Sequence, residues 1–317
     1  MSGPAVAQQA DKPTTLQLWT AFGLLYIVWG STYLAIRVAV STLPPFGLAG
    51  ARFVIAGGLP MLWLLGRGAP WPSLVQWRNS AVVGGCLMLG GNGLVSLAER
   101  DVSSILAALL VALTPMWFVL CEALRPGGAM PDRRTTLGLG VGFLGVAWLV
   151  GPGAMRADLG SPSLFGILLL LAAGASWAFG SLYGKYRERP ASLFMTSALQ
   201  MLCGGVELLL LSCALGEPAQ LQHLTIGREV WFAFVYLIVF GSWLGFGSYV
   251  WLLARVSTTR LSTYAFVNPL VAVVLGAWLL HEPFSARSLG PALLILAGVA
   301  IVQLPTRAAV SGKSAGK

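Results

Sequence analysis

The sequence repeats itself. Trp29-Gly30-Ser31-Thr32-Tyr33-Leu34-Ala35-Ile36-Arg37 opens a first copy, and Trp177-Ala178-Phe179-Gly180-Ser181-Leu182-Tyr183-Gly184-Lys185 opens a second. One register sets Trp29 over Trp177 and Arg37 over Lys185. Further on, Leu113-Thr114-Pro115 answers Val267-Asn268-Pro269, and near each end Leu144-Gly145-Val146-Ala147 answers Ala297-Gly298-Val299-Ala300. Such a chain is expected to fold as two related halves around a shared centre, a plan common among membrane carriers.

The 317 residues are 56% hydrophobic and only 10% charged, against about 25% charge in a soluble domain. A soluble fold this apolar would lack a polar coat, which places the chain in a bilayer. The net charge of +9 does not point to nucleic acid, because the basic residues are scattered between apolar runs and form no single face. Cys86, Cys121, Cys203 and Cys213 each lie in an apolar run, without a CxxC pair or a His cluster. They are expected as small hydrophobes in helices, not as disulfides or metal ligands. The first apolar segment has no basic region before it and no small-residue cleavage site, as expected of an uncleaved span.

A helix crosses hydrocarbon with about 20 apolar residues. Ten stretches qualify, near Leu18–Val40, Phe46–Leu65, Ala81–Ala98, Val102–Leu124, Leu137–Val150, Leu164–Tyr183, Phe194–Leu215, Trp231–Leu253, Ser262–Leu280 and Leu289–Leu304. Runs this uniformly apolar lack the alternation of a barrel. With the N-terminus in the cytoplasm, 14 of the 20 lysines and arginines fall on the cytoplasmic side, the asymmetry that orients membrane helices. Five spans per copy is odd, so the second copy starts from the opposite face. The expected fold is an all-α integral membrane protein of ten transmembrane helices in two inverted five-helix repeats, residues 18–151 and 164–304. Polar tails at 1–15 and 305–317 are expected in the cytoplasm.

Polar groups inside lipid are costly and need partners or a wet cavity. Several share single helical faces: Gly30, Tyr33 and Arg37; Asn92, Ser96 and Glu99; Gln200, Gly204 and Glu207; Ser242, Gly245 and Tyr249; Tyr264 and Asn268. Trp29, Tyr33, Asn92, Ser96, Trp177, Gln200, Tyr249, Tyr264 and Asn268 are candidates to line a substrate cavity. For Trp29 and Trp177 an aromatic wall and plain core packing are both open. Gly30, Gly180 and Gly245 read as close helix packing. Arg37, Arg52 and Arg100 lie near external ends, where such side chains snorkel, and Glu99-Arg100-Asp101 reads as a self-neutralising external turn. Glu207 lies at mid-span, either as a protonatable carboxylate facing the cavity or as one kept neutral by burial. Pro115 and Pro269 each remove a backbone hydrogen bond and kink their spans at matched places, which marks them as gating candidates.

These strings resemble the drug/metabolite transporter superfamily, EamA type, and within it the bacterial YedA-like exporters. The resemblance rests on Tyr26-Ile27-Val28-Trp29-Gly30-Ser31-Thr32-Tyr33, Pro44-Pro45 with Ala51-Arg52-Phe53, and Gly91-Asn92-Gly93 with Ala98-Glu99. In the second half it rests on Ser176-Trp177-Ala178-Phe179-Gly180-Ser181, Tyr264-Ala265-Phe266-Val267-Asn268-Pro269 and His281-Glu282-Pro283. The first copy departs from the last of these, with Leu124-Arg125-Pro126-Gly127-Gly128 and no aligned acid. The resemblance implies an exporter of small metabolites, amino acids or drugs in a bacterial inner membrane.

The residues favour a secondary transporter working by alternating access around a mid-depth cavity. No GxxxxGK[ST] loop supports nucleotide hydrolysis. A facilitative uniporter without proton coupling is the alternative, and a membrane-embedded enzyme a remote one, since His223 and His281 are the only histidines and no HExxH occurs. No cofactor, metal or nucleic acid is expected. The partners are a small-molecule substrate, the lipid bilayer and, in the coupled version, protons. Monomer and oligomer are both open.

Overall fold

A computed structural model describes residues 13–125, 127–128, 130–150, 163–221, 224–261, 263–281 and 286–303. Residues 151–162, most of both tails, His223 and Glu282-Pro283 lie outside the described residues. Every regular element in these segments is a helix. In order, the long helices are α1 (Thr15–Val40), α2 (Pro45–Gly66), α3 (Leu74–Ala98), α4 (Ser104–Leu124), α5 (Arg133–Val150), α6 (Leu164–Tyr186), α7 (Leu193–Ala214), α8 (Arg228–Leu253), α9 (Tyr264–Leu279) and α10 (Ala286–Gln303). Among the described residues seven are long and apolar enough to cross a membrane: α1 to α4 and α6 to α8. Large apolar side chains such as Trp19, Leu62, Phe232, Trp278 and Leu293 point outward, as expected of helices whose outer surface meets lipid rather than water.

Caps explain where apolarity misplaced the starts. The third span, expected from Ala81, begins at Leu74, because Ser73 and Gln76 form a reciprocal capping box. The same box forms between Thr14 and Gln17 at the start of α1. The fifth helix begins at Arg133, where Asp132 accepts from Thr135 N at 2.7 Å. Pro44-Pro45 leaves α2 without a capping side chain of its own. Glu217, from a short helix Glu217–Leu221 after α7, supplies the acceptor instead, at 3.3 Å from Phe46 N and 2.7 Å from Gly47 N. A carboxylate there also meets the positive end of the helix dipole.

Two helices carry π-helical stretches at mid-length, Gly85–Gly93 in α3 and Leu237–Phe246 in α8. Both are glycine-rich, and glycine holds α-helix weakly; wide turns of this kind cluster at functional sites. α4 is interrupted at Ala112–Leu113, just before Pro115. The carbonyl that Pro115 cannot pair, Val111 O, accepts from Thr114 Oγ1 at 2.6 Å.

Helices meet where side chains are small. α2 and α7 pack antiparallel, Gly50 against Leu209 and Gly57 against Leu202 and Ala198. α5 and α10 also pack antiparallel, Gly138 against Val302 and Gly145 against Ile295. α1 runs parallel to α9, with Tyr26 at Thr263 and Gly30 at Val271, and α6 runs parallel to α4, with Gly174 at Thr114 and Leu182 at Phe118. α1 lies antiparallel to α8, Trp29 at Gly245 and Ser31 at Tyr236; α6 lies antiparallel to α3, Ser176 at Gly90 and Gly184 at Val83. Finally α2 runs parallel to α8, and α3 parallel to α7. All four cysteines are free; Cys86, Cys121 and Cys203 are half-buried, while Cys213 is exposed on the outer face, not buried as its apolar surroundings suggested.

Adjacent glycines of α2 test this packing. A Cβ on Gly57 would fall onto the backbone of Leu202 and Ala198, which has nowhere to go, whereas one on Gly58 would touch only Leu202 Cδ1 at 3.9 Å. Gly57→Ala is expected to destabilise by about 1–3 kcal/mol through overpacking, and Gly58→Ala to stabilise by up to about 1 kcal/mol through helix propensity. Thermal unfolding of the two purified variants in detergent should move in opposite directions.

Candidate functional site

The tryptophans that open the two copies meet in the middle of the bundle. The rings of Trp29 and Trp177 lie edge to face with centroids 5.4 Å apart. Tyr249 and Tyr264 complete the group, 5.1 and 5.5 Å from Trp29, and Phe246 stacks on Tyr249. Tyr249 is fully buried, so its hydroxyl needs partners. It accepts from Trp177 Nε1 at 3.0 Å and lies 2.7 Å from Ser181 Oγ. Ser181 donates to Trp177 O at 2.7 Å, so Tyr249 donates to Ser181. The result is a closed ring of hydrogen bonds in which each hydroxyl both donates and accepts.

This aromatic group separates two spaces. On one side is a cavity of about 70 Å³, measured to water centres. At roughly 10–15 Å³ per water centre that holds on the order of five waters. Of the residues singled out by sequence, Trp29, Tyr33, Asn92, Trp177 and Tyr264 line it, together with Thr32, Arg52, Phe53 and Thr114. On the other side is a space of about 20 Å³ lined by Gln200, Tyr249, Ser181, Thr196 and Arg189. Along α3, α6 and α8 the two linings follow one another without overlap, so the aromatic group is the floor between them.

The remaining candidates lie off the wall of the larger cavity. Ser96 is buried within the packing of α3. With its amide nitrogen turned to the Tyr26 and Tyr264 carbonyls, Asn268 donates to both, at 3.1 and 3.2 Å, and so joins α9 to α1 beside Pro269. Glu207 is half-buried on α7 and its carboxylate faces Gly85 of α3; neither cavity counts it in its lining. Gly30, Gly180 and Gly245 stand against Val271, Cys86 and Trp29, too close for a side chain.

Arg52 departs from its expectation. It does not snorkel: it is 4% exposed, and its Nε donates to Leu237 O at 3.1 Å and Ser242 Oγ at 2.9 Å. The signal was available, since Arg52 lies two turns inside α2, too deep to reach the interface easily. Ser181 and Thr32 were missed because a hydroxyl among apolar residues reads as packing. At the turn that follows α3, Arg100 and Asp101 are exposed while Glu99 is 0% exposed, and the Arg37 guanidinium donates to the Glu99 and Arg100 carbonyls.

The wide turns of α3 and α8 face this centre and take donors from their surroundings. Ser176 Oγ donates to Cys86 O at 2.8 Å, and Trp29 Nε1 to Gly241 O at 3.3 Å. Asn92 Nδ2 donates to Leu87 O at 3.3 Å. Loss of the floor's hydroxyl is measurable. Tyr249→Phe is expected to cost about 1–3 kcal/mol, because Trp177 Nε1 and Ser181 lose a buried partner. In a double-mutant cycle Ser181→Ala should cost much less in the Tyr249→Phe background than alone, as read by thermal unfolding.

The profile of the EamA-like transporter family matches residues 18–151 and, a second time, residues 164–304. The chain is 38% identical over 276 residues to the uncharacterized inner membrane transporter YedA of Escherichia coli, covering 85% of each chain. It is 29% identical over 300 residues to a probable amino-acid metabolite efflux pump of Salmonella typhimurium, covering 88% of this chain and 92% of that one. A solved crystal structure 21% identical in sequence matches with a TM-score of 0.63 over 92% of this chain and 98% of its own, a likeness of fold. With its two matched halves and its YedA relative, the chain belongs to the EamA-like transporter family.

Proposed function

We propose that the protein is a secondary transporter that exports small metabolites, amino acids or drugs across the inner membrane by alternating access. In this reading it has ten spans in two inverted repeats, residues 18–151 and 164–304, with both termini in the cytoplasm. The observation that carries it is the exchange of partners between halves. α1 packs on α8 and α9 as α6 packs on α3 and α4, and α2 meets α8 as α7 meets α3. Three antiparallel steps, α1 to α8, α2 to α7 and α3 to α6, linked by parallel ones, leave α1 and α6 pointing in opposite directions. A cavity whose floor is made of one tryptophan from each half is then open to one side at a time when the halves rock.

The names of the relatives support transport, and that of the Salmonella protein supports amino-acid solutes. A uniporter without proton coupling is the second reading. It is favoured by the larger cavity, whose described lining contains no carboxylate, while Glu207 lies off it. Saturable counterflow of labelled amino acids or planar cationic drugs into liposomes holding the purified protein tests the carrier reading; flux that never saturates or never exchanges would overturn it. Imposing a pH gradient separates the two versions. The coupled version expects gradient dependence that disappears in Glu207→Gln, and the uniporter expects the gradient to be without effect.

Pro115 and Pro269 serve as hinges at matched places in α4 and α9. Pro115→Ala and Pro269→Ala are expected to lower the exchange rate by at least about ten-fold with normal yield of folded protein. Unchanged uptake kinetics in both variants would remove the hinges from the mechanism.

A further inference from the structure

Arg52 gives the larger cavity a charge that its use as a transport site does not by itself explain. The described residues lining the cavity hold one cation, Arg52, and no carboxylate. A buried guanidinium without a counter-charge is expensive, and in a chain of this apolarity it marks a functional position. Its helical frame is fixed. Nε is held by Leu237 O and by Ser242 Oγ, itself donating to Leu237 O at 3.1 Å. Its Cζ lies 4.5 Å from the centroid of Phe53, and Nη2 stands against Gly241, where a Cβ would come within 2.9 Å of it. Phe53 and Gly241 are both on the cavity wall. Of the five guanidinium donors, the Nε–H is spent on the protein; the two Nη groups carry the other four. They form the flat fork that matches a carboxylate bidentately.

We infer that Arg52 is the specificity-determining residue of this cavity and that it selects solutes carrying one carboxylate on a small apolar body. The inference rests on the carrier reading above and names its substrate class. One cation in the lining neutralises one negative charge, so a monoanionic carboxylate fits where a phosphate dianion would bring an unmatched charge into an apolar wall. Trp29, Trp177, Tyr264 and Phe246, on the same cavity wall, receive the apolar body. A cation carrying no acid would meet the guanidinium with like charge.

Three probes of one skeleton test this: leucine, 4-methylpentanoate (leucine without its amine) and isoamylamine (leucine without its carboxylate). Calorimetric titration into the purified full chain should find the two acids within about ten-fold of each other and the amine at least ten-fold weaker. Arg52→Gln should weaken both acids by roughly ten- to hundred-fold, the range of a lost hydrogen bond to a charged group, and leave the amine unchanged or improved. Arg52→Lys, which keeps the charge without the fork, should retain part of the preference. The inference is overturned if the amine binds wild type as tightly as the acids, if none of the three binds, or if Arg52→Gln weakens all three by one factor, the result of a purely structural staple. Should Arg52→Gln fail to fold, the wild-type comparison still decides. Counterflow of labelled leucine is scored separately. Carboxylate-selective binding without counterflow would overturn the carrier reading alone, and counterflow confined to cationic solutes would overturn the carboxylate inference alone.

Discussion

Inside hydrocarbon a backbone carbonyl that is not well served by its own helix must find a donor elsewhere, because no water can supply one. This constraint organises the centre of the molecule. The irregular backbone lies in the π-helical turns of α3 and α8 and at the Pro115 break of α4, and every one of these places has a side-chain donor at hand. Ser176 serves Cys86 O, Trp29 serves Gly241 O, Thr114 serves Val111 O, and Arg52 with Ser242 serves Leu237 O. The donors come largely from neighbouring helices, so the repair of one helix is also its attachment to another. The cavity lies where these repairs converge, since a wide turn spaces side chains apart and lets polar groups face inward.

Between lipid-facing helices apolar burial gives little drive, and close approach of small residues takes its place. Gly84 of α3 lies on Gly204 of α7, and Gly138 and Gly142 of α5 lie on Gly298 of α10. The close contacts α2 with α7 and α5 with α10 join equivalent helices of the two copies, so they stand on the line relating the halves. The contacts that exchange, α1 with α8 and α6 with α3, instead surround the aromatic floor. A structure tight along the first set and hydrogen-bonded across wide turns in the second has its compliance where the cavity is.

Much of this was legible in the sequence and some was not, for identifiable reasons. The duplication placed Trp29 and Trp177 in equivalent positions, and their meeting at the centre follows once the halves are related by a two-fold. Span existence follows from apolar length, but starts did not, because caps such as Ser73 with Gln76 lie in polar stretches that hydropathy reads as loop. The π-helical turns carry no periodicity of their own. Arg52 was assigned to the interface because arginine near a span end usually snorkels. Its depth, two turns inside α2, was a local signal, but the acceptor pair that holds it there comes from α8, 185 residues away in the chain, and could not be anticipated locally.

The two halves are alike in backbone and unlike in charge. In the register that sets Trp29 over Trp177, the position of Arg52, two turns inside the second span, recurs in α7 as Gln200, which lines the smaller space beyond the floor. Here the position is answered in α7 by no basic residue: its one charged side chain is Glu207, facing α3. The asymmetry leaves Arg52 as the one cation in a described lining to which both halves give aromatic rings, Trp29, Tyr33 and Phe53 from the first and Trp177, Phe246 and Tyr264 from the second. If Arg52 binds a carboxylate, as inferred above, a solute with one charged end and one apolar end has a single favoured orientation in this cavity.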